Sequence, residues 1–346
     1  MDVIDLRSDT VTRPTPAMTI AMQEATEGDD SRDGDPTVLK LETMAAKLTG
    51  KASGVFMPSG TMTNLVALLT HGTRGGEVIV ESSAHIMNTE MGGLSALGGL
   101  FPRTIPGRSG IMDPEAVRRT IRPLTRNNLG TTLVCLETSH NAAGGTVLPL
   151  EYMSGIRAMC AEVEVPVHVD GARLFNAAAH LGIPASDIAA CADSVCFCVS
   201  KGLSAPIGSL LCGSTSFIER ARAVRRMVGG NMRQAGSMAA AGVVALETMI
   251  DRLKDDHATA RMLGIALHAI DERLCDLDTV QTNIVRVQVG AFGKPAQEWS
   301  ERLLRHDIRV SPAGTAALLF VTHRHIDHND IEKAVVAFRA VYSALA

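Results

Sequence analysis

The chain has 346 residues, 46% of them apolar and 20% charged, and a formal net charge of −4 at pH 7. Such a length calls for a large domain plus a smaller one, and the composition is that of an ordinary globular protein. The acidic balance argues against nucleic acid as a main partner, aromatics at 3% leave few platforms for stacking single strands, and no apolar run is long enough to predict a membrane span.

The opening decapeptide "MDVIDLRSDT" carries Asp2 and Asp5 and no apolar centre, so a secretory leader is not expected. Residues 36–49 place Val38, Leu41, Ala45 and Leu48 at helical spacing, with Gly50 as a stop. After "GVFMPSGTMTN" a buried helix is predicted over Met62–Leu69. "EVIVE" (77–81), "TTLVCLE" (131–137), "VPVHVD" (165–170) and "SVCFCV" (194–199) are strand candidates, and "GSLLCG" (208–213) is another. Helix-like segments separate the third and fourth, as parallel crossovers require.

From about residue 236 a long Ala/Met/Leu helix runs into a second amphipathic region ending near 275. Beyond it "NIVRVQV", "LLRHDIRVS", "ALLFVTH" and a helix at 330–345 suggest a C-terminal lobe. The expected architecture is α/β: a large domain over 1–250 with a mostly parallel sheet flanked by helices, and a small α+β domain over 251–346. Seven cysteines, an odd number without a C-x-x-C pair, point to a reduced, cytoplasmic protein with no disulfide framework. Cys196 and Cys198 share one face of their strand by its two-residue period, for which core packing is the simplest account.

Parallel sheets bind ligands beyond the carboxyl ends of their strands, and three motifs fall there. "PSGTMTN" puts Ser59, Gly60 and Thr61 between a strand and a helix, where backbone N–H groups can meet a phosphate. "HVDGARLF" ends a strand on Asp170, with Arg173 just beyond. "VSKGLSAPIGS" ends the next strand on Lys201. Singly, these are an N-cap, a turn and a surface lysine. Together they meet the needs of pyridoxal 5'-phosphate: an amine for its aldehyde, an acid for its ring nitrogen and neutral donors for its phosphate.

The blocks "IDLRSDTVTRPTPAM", "GDPTVLKLE", "PSGTMTNLVALL", "AHIMNTEMGG", "LETSHNAAGGTVLP", "HVDGARLFNA", "SKGLSAPIGSLL" and "GGNMRQAG", in this order from residue 4 to about 250, resemble the L-threonine aldolase family. That resemblance implies a pyridoxal-phosphate enzyme of the aspartate aminotransferase type (type I) fold, which would cleave a β-hydroxy-L-amino acid to glycine and an aldehyde. Lys201 would carry the cofactor, Asp170 would pair with the ring nitrogen, and His85 would stack on the ring with Glu90 as support. Ser59, Gly60 and Thr61 would hold the phosphate, with Arg233 completing the cradle from a neighbouring subunit of a homodimer or homotetramer with shared active sites. Ser8 and Arg173 would bind the substrate carboxylate, and the N-terminal segment 1–15 would pack near the site. No metal is expected.

Three departures fall on the substrate side. The family pattern "R-[LF]-V-T-H" has its arginine replaced by Leu319. The tyrosine of "GDDVYGxDP" is replaced by Arg32, a candidate selector for an acidic substrate. A histidine expected upstream of the "THN" block is absent from Thr125–Asn128. A leucine cannot make a charge-assisted bidentate pair, so either another arginine serves or the substrate has changed. The alternatives are therefore a racemase or β-eliminase using the same cofactor, or a cofactor-binding homologue without catalysis. His140, at a strand end, is a further candidate, whereas His323, His325 and His328 read as solvent-facing, and the glycines of 92–99 as packing positions without G-x-G-x-x-G order.

Overall fold

The computed structural model describes residues 3–345. Its strands, in chain order, are β1 (Ile4–Asp5), β2 (Ser53–Met57), β3 (Glu77–Glu81), β4 (Phe101–Ile105), β5 (Gly107–Arg108), β6 (Ile111–Met112), β7 (Thr131–Glu137), β8 (Val167–Asp170), β9 (Ser194–Cys198), β10 (Ser209–Gly213), β11 (Ile284–Gln288), β12 (Ile308–Arg309), β13 (Ser311–Ala313) and β14 (Ala317–Val321). The main sheet has the order β2-β10-β9-β8-β7-β3-β4. Strand β10 is antiparallel to both its neighbours, and the pairs from β9 to β4 are parallel. All but β10 therefore run the same way, and their carboxyl ends share one edge.

Local chemistry explains why these elements form. The helix Pro36–Thr49 starts on Asp35, whose Oδ1 accepts from the N–H groups of Thr37 and Val38, and stops at Gly50 in the left-handed region (φ 62°). Every residue of β9 is buried, as a strand covered on both faces requires. Val195 and Phe197 join the main core, while Cys196 faces a second cluster with Val55, Met57 and Leu211. The helix expected over Met62–Leu69 is longer, Gly60–His71, and Ser59 caps it through its side-chain oxygen, which accepts from Met62 N–H.

Strand β4 was not legible in the sequence, because "FPRTI" is interrupted by Pro102 and Arg103; it is an edge strand paired only with β3, where proline is tolerated. A separate antiparallel sheet, β11-β14-β13, lies near the C-terminus. One face of it packs Val285, Val287, Leu318 and Phe320 into a core with Trp299 and Phe338, whose rings stack at 5.4 Å. The main core ends at Leu253 and this second core takes over from Ala260, both on the helix Leu253–His268. The N-terminal segment crosses back to this lobe: Ile4 pairs with Ile308 in parallel register, and Leu6 is buried in the C-terminal core.

Candidate active site

The shared sheet edge gathers chemistry from five strand ends. Ser59–Thr61 follow β2, His85 follows β3, Glu137–Asn141 close β7, Asp170 ends β8 and Lys201 follows β9. Asp170 is 2% exposed and lies in register with Cys196. Its Oδ1 accepts from Ala172 N–H at 3.1 Å and its Oδ2 from Asn64 Nδ2 at 2.8 Å.

Asn64, one turn into the helix from Gly60, is the hub of this site. Its Nδ2 also donates to Glu90 Oε1 at 2.8 Å, so one neutral amide separates two carboxylates. With both N–H groups spent on acids, Asn64 Oδ1 must accept, and it faces His168 Nε2 at 3.2 Å and Cys196 Sγ at 3.2 Å. Burial drives the His168 imidazole down to about 4, so the ring is neutral and donates from Nε2. Its Nδ1 then accepts from Ser194 Oγ (2.8 Å), which in turn is within 2.8 Å of His71 Nε2. This buried chain fixes the Asn64 amide and, through it, the Asp170 carboxylate. The sequence carried no sign of Asn64 beyond its place on the inner face of a helix. Cys196 and Cys198 do share a strand face, but it is the face beneath the site: Cys196 Sγ lies 3.7 Å from Asp170 Oδ1, and a Cβ on Gly60 would come within 2.8 Å of Cys198 Sγ.

His85 Nδ1 lies 2.8 Å from Glu90 Oε1, and its backbone N–H donates to Glu137 Oε2 at 2.6 Å. The hydrogen bond to Glu90 raises the His85 imidazole, and burial raises the Glu90 carboxyl. His85, Glu90 and Asp170 present ligand atoms within 4.8 Å of one another. Asn64 already knits the two acids with N–H donors, which settles their repulsion by hydrogen bonding.

Lys201 is half-buried, and among the described residues its amine has no ion pair and no hydrogen bond. Its charge acts on both Asp9 and Cys198, which places the amine between the N-terminal segment and the sheet edge. Thr12 Oγ1 anchors the Lys201 carbonyl at 2.8 Å, and a Cβ on Gly202 would press on Leu253 at 2.9 Å, so glycine keeps the turn beside the lysine tight.

Arg173 is buried and bidentate to Asp9, Nε to Oδ2 and Nη2 to Oδ1, each at 2.7 Å, while Nη1 donates to Asn141 Oδ1 at 3.2 Å. Asn283 Nδ2 adds a bond to Asp9 Oδ2 at 3.1 Å. Burial alone would raise Asp9, but the Arg173 guanidinium outweighs it and holds the carboxyl at about 2, against 3.8 unperturbed. A lowered folded value contributes stability above pH ~4 that disappears as the pH falls through ~2. Asp9→Asn is therefore expected to destabilise the protein by about 3 kcal/mol at pH 7, by stranding a buried guanidinium, and to flatten the loss of stability between pH ~4 and ~2. Urea unfolding across that range checks both; a variant with the acid limb of the parent refutes the pairing as its source.

Ser8 caps a short turn, its Oγ accepting from Thr10 N–H at 3.2 Å beside Asp9. Arg32 is exposed, 3.6 Å from Asp29, and Arg233 is exposed as well, 3.7 Å from Asp29 and bonded to Ser31. Neither bonds to the Lys201–Asp170 group among the described residues. His140 is fully buried: Nε2 lies 3.1 Å from Glu81 and Nδ1 accepts from Ala143 N–H, so it orients its neighbours. The solvent-facing expectation fails for His323, which is 2% exposed and lies 2.9 Å from the Asp5 carbonyl, fastening the N-terminal segment.

These groups suit pyridoxal phosphate. The Gly60 and Thr61 N–H groups open a twelve-residue helix and have no partner among the described residues, a natural seat for a dianion. A side chain on residue 60 has no room against Cys198, so the backbone itself forms the cradle. The oriented, buried Asp170 can meet a ring nitrogen, and the amine of Lys201 is unengaged.

Comparison with known proteins agrees. The sequence pattern described as Beta-eliminating lyase matches residues 5–290. The chain is 39% identical to low-specificity L-threonine aldolase 1 of Arabidopsis thaliana over 344 residues, covering 98% of this chain and 96% of that one. It is also 39% identical to the low specificity L-threonine aldolase of Escherichia coli (strain K12), covering 98% and 99%. The structure of Leishmania major threonine aldolase superposes with a TM-score of 0.82 at 18% identity, covering 98% and 99%, and shares the fold.

Proposed function

The chain belongs to the L-threonine aldolase family, within the beta-eliminating lyases, and from that premise we propose how its residues divide the work of a pyridoxal-phosphate-dependent aldehyde-lyase. It cleaves a β-hydroxy-L-amino acid to glycine and an aldehyde. The observation that carries this reading is the meeting, at one sheet edge, of an unengaged amine, a buried carboxylate steered by a neutral amide and an open helix N-terminus.

When bound, pyridoxal phosphate supplies an aldehyde for amines and a ring that draws electron density from Cα. Lys201 would be the amine that holds it. Asp170 keeps a proton on the ring nitrogen, and Asn64 keeps Asp170 aimed. The N–H groups of Gly60 and Thr61, with the Ser59 hydroxyl, receive the phosphate. Ser8 and the Nη1 edge of Arg173 would receive the substrate carboxylate and so fix the orientation that selects the Cα–Cβ bond for cleavage. The change balances within the substrate: the β-hydroxyl loses its proton, a C=O bond forms as Cα–Cβ breaks, and Cα takes up a proton.

His85 would cover the ring face. Its Nδ1–H points to Glu90, which leaves Nε2 free to take a proton. Activity then falls as the pH drops through the His85 value, which Glu90 raises. Glu90→Gln is expected to move the acid limb of the pH–kcat profile to lower pH; an unmoved limb removes His85 from that role.

Arg233 and Arg32 are exposed, with only Asp29 and Ser31 as side-chain partners among the described residues, which supports Arg233 reaching the phosphate of another subunit in a homodimer or homotetramer and leaves Arg32 free to meet an acidic substrate. We divide the chain into a large domain, 1–250, and a small one, 251–346, and place it in the cytoplasm, in keeping with seven free, buried cysteines. Among the described residues no helix is long and apolar enough to cross a membrane. Incubation of the pyridoxal-phosphate-loaded protein with β-hydroxy-L-amino acids should yield glycine and aldehyde in equal amounts. A D-amino acid, or pyruvate with ammonia, would replace the lyase reading with racemisation or β-elimination, and no product at all would sink catalysis.

A further inference from the structure

The strand pairing that brings β11 beside β14 sets Arg286 directly across from Leu319. Partners in an antiparallel pair point to the same face, with Cβ atoms about 5 Å apart. That face is not the one buried in the C-terminal core, which takes Val285, Val287, Leu318 and Phe320. It turns toward the loop after β7: a Cβ on Gly144 would lie 2.9 Å from Arg286 Cβ, and one on Gly145 would lie 2.9 Å from Ile284 Cβ.

Arg286 Nη1 donates to the Ala142 carbonyl at 3.0 Å, and the adjacent residue, Asn141, receives Arg173 Nη1 at 3.2 Å. Two guanidiniums thus hold adjacent residues of one loop, Arg173 by the Asn141 side chain and Arg286 by the Ala142 carbonyl. They differ in one respect. Arg173 is neutralised by Asp9, whereas Arg286, half-buried, has no carboxylate partner among the described residues. Burial pushes the Arg286 guanidinium downward. A partly desolvated cation without an anion is costly unless an anion arrives from outside.

We propose that Arg286 is the second anchor of the substrate's α-carboxylate, the positive charge having moved across the strand pair from position 319 to position 286. This rests on the amino-acid lyase reading above, and it answers the loss of the arginine that Leu319 replaces. A full arginine side chain is longer than the ~5 Å step between the two strands, so its guanidinium can be brought to the same carboxylate from either side.

The test uses the full chain loaded with pyridoxal phosphate and titrates glycine and methylamine by calorimetry, the second having the amine without the carboxylate. Arg286→Gln keeps a donor for the Ala142 carbonyl and removes the charge. It is expected to weaken glycine about 10- to 100-fold, as loss of a charge-assisted bidentate contact does, with methylamine affinity and the visible cofactor absorbance unchanged. The double variant Arg286→Leu with Leu319→Arg is expected to recover at least about tenfold relative to Arg286→Leu alone. Unchanged glycine affinity in Arg286→Gln, or an equal loss for methylamine, overturns the assignment. A double variant that stays weak overturns the transfer of charge between strands. Glycine binding that depends on Arg286 in a protein that makes no glycine from any β-hydroxy amino acid would fail the lyase reading while leaving this anchor standing.

Discussion

Lys201→Ala is expected to lower kcat by roughly 10⁴-fold or more, as removal of a covalent participant does, and to abolish the borohydride-fixed attachment of cofactor to protein. The size follows from what the residue contributes. Its amine has no partner among the described residues and is held at the end of a fully buried strand, with its carbonyl tied to Thr12 and Gly202 packed against Leu253. Alanine keeps that backbone and removes only the nitrogen. Absorbance spectra of the loaded variant, mass spectrometry after reduction, and glycine release together check the outcome. Reductive trapping at another lysine, or full activity without trapping, would remove Lys201 from the chemistry.

Asp170→Asn should cost about 10³-fold in kcat, or ~4 kcal/mol of barrier, while the protein still takes up pyridoxal phosphate through its helix N-terminus. A neutral amide cannot hold a positive charge on the ring nitrogen, so the pull on electrons at Cα falls. It also meets Asn64 badly, because the Nδ2 donor of Asn64 needs an acceptor at 2.8 Å and asparagine offers only one oxygen. The comparison that isolates the charge is Asn64→Ala, which keeps the carboxylate and loosens its aim. A smaller loss is expected there. Steady-state kinetics on all three proteins decide: equal losses would mean that orientation, not charge, is what Asp170 provides.

Where polarity changed abruptly the site was readable in advance. Lys201 comes just after the apolar run Val195–Val199, Asp170 ends the strand-like "VPVHVD", and Gly60 lies between a strand and a helix, so these strand ends could be placed on one edge. Asp9, Asn64, Asn141 and Arg286 could not be read this way. Each is a single polar residue whose meaning comes from a partner far along the chain, such as Arg173 for Asp9 or Asp170 for Asn64. The same limit hid β1, two residues long, whose only partner is β12. His323 illustrates the opposite error: three histidines close together in sequence suggested a wet edge, and the buried contact with Asp5 was invisible from spacing.

The pairing of Ile4 with Ile308 sets an order on biosynthesis. Ile4 leaves the ribosome long before Ile308 is made, so its hydrogen bonds across this pair cannot close until that distant partner exists, since closure over so long a loop cannot precede its far end. Until then Leu6 has no core to enter, and Asp9 lacks the docking that positions it for Arg173. The nascent protein can therefore build its large sheet early yet stay inactive until the lobe that holds Ile308 has been synthesised, about a hundred residues later and on the order of ten seconds of translation.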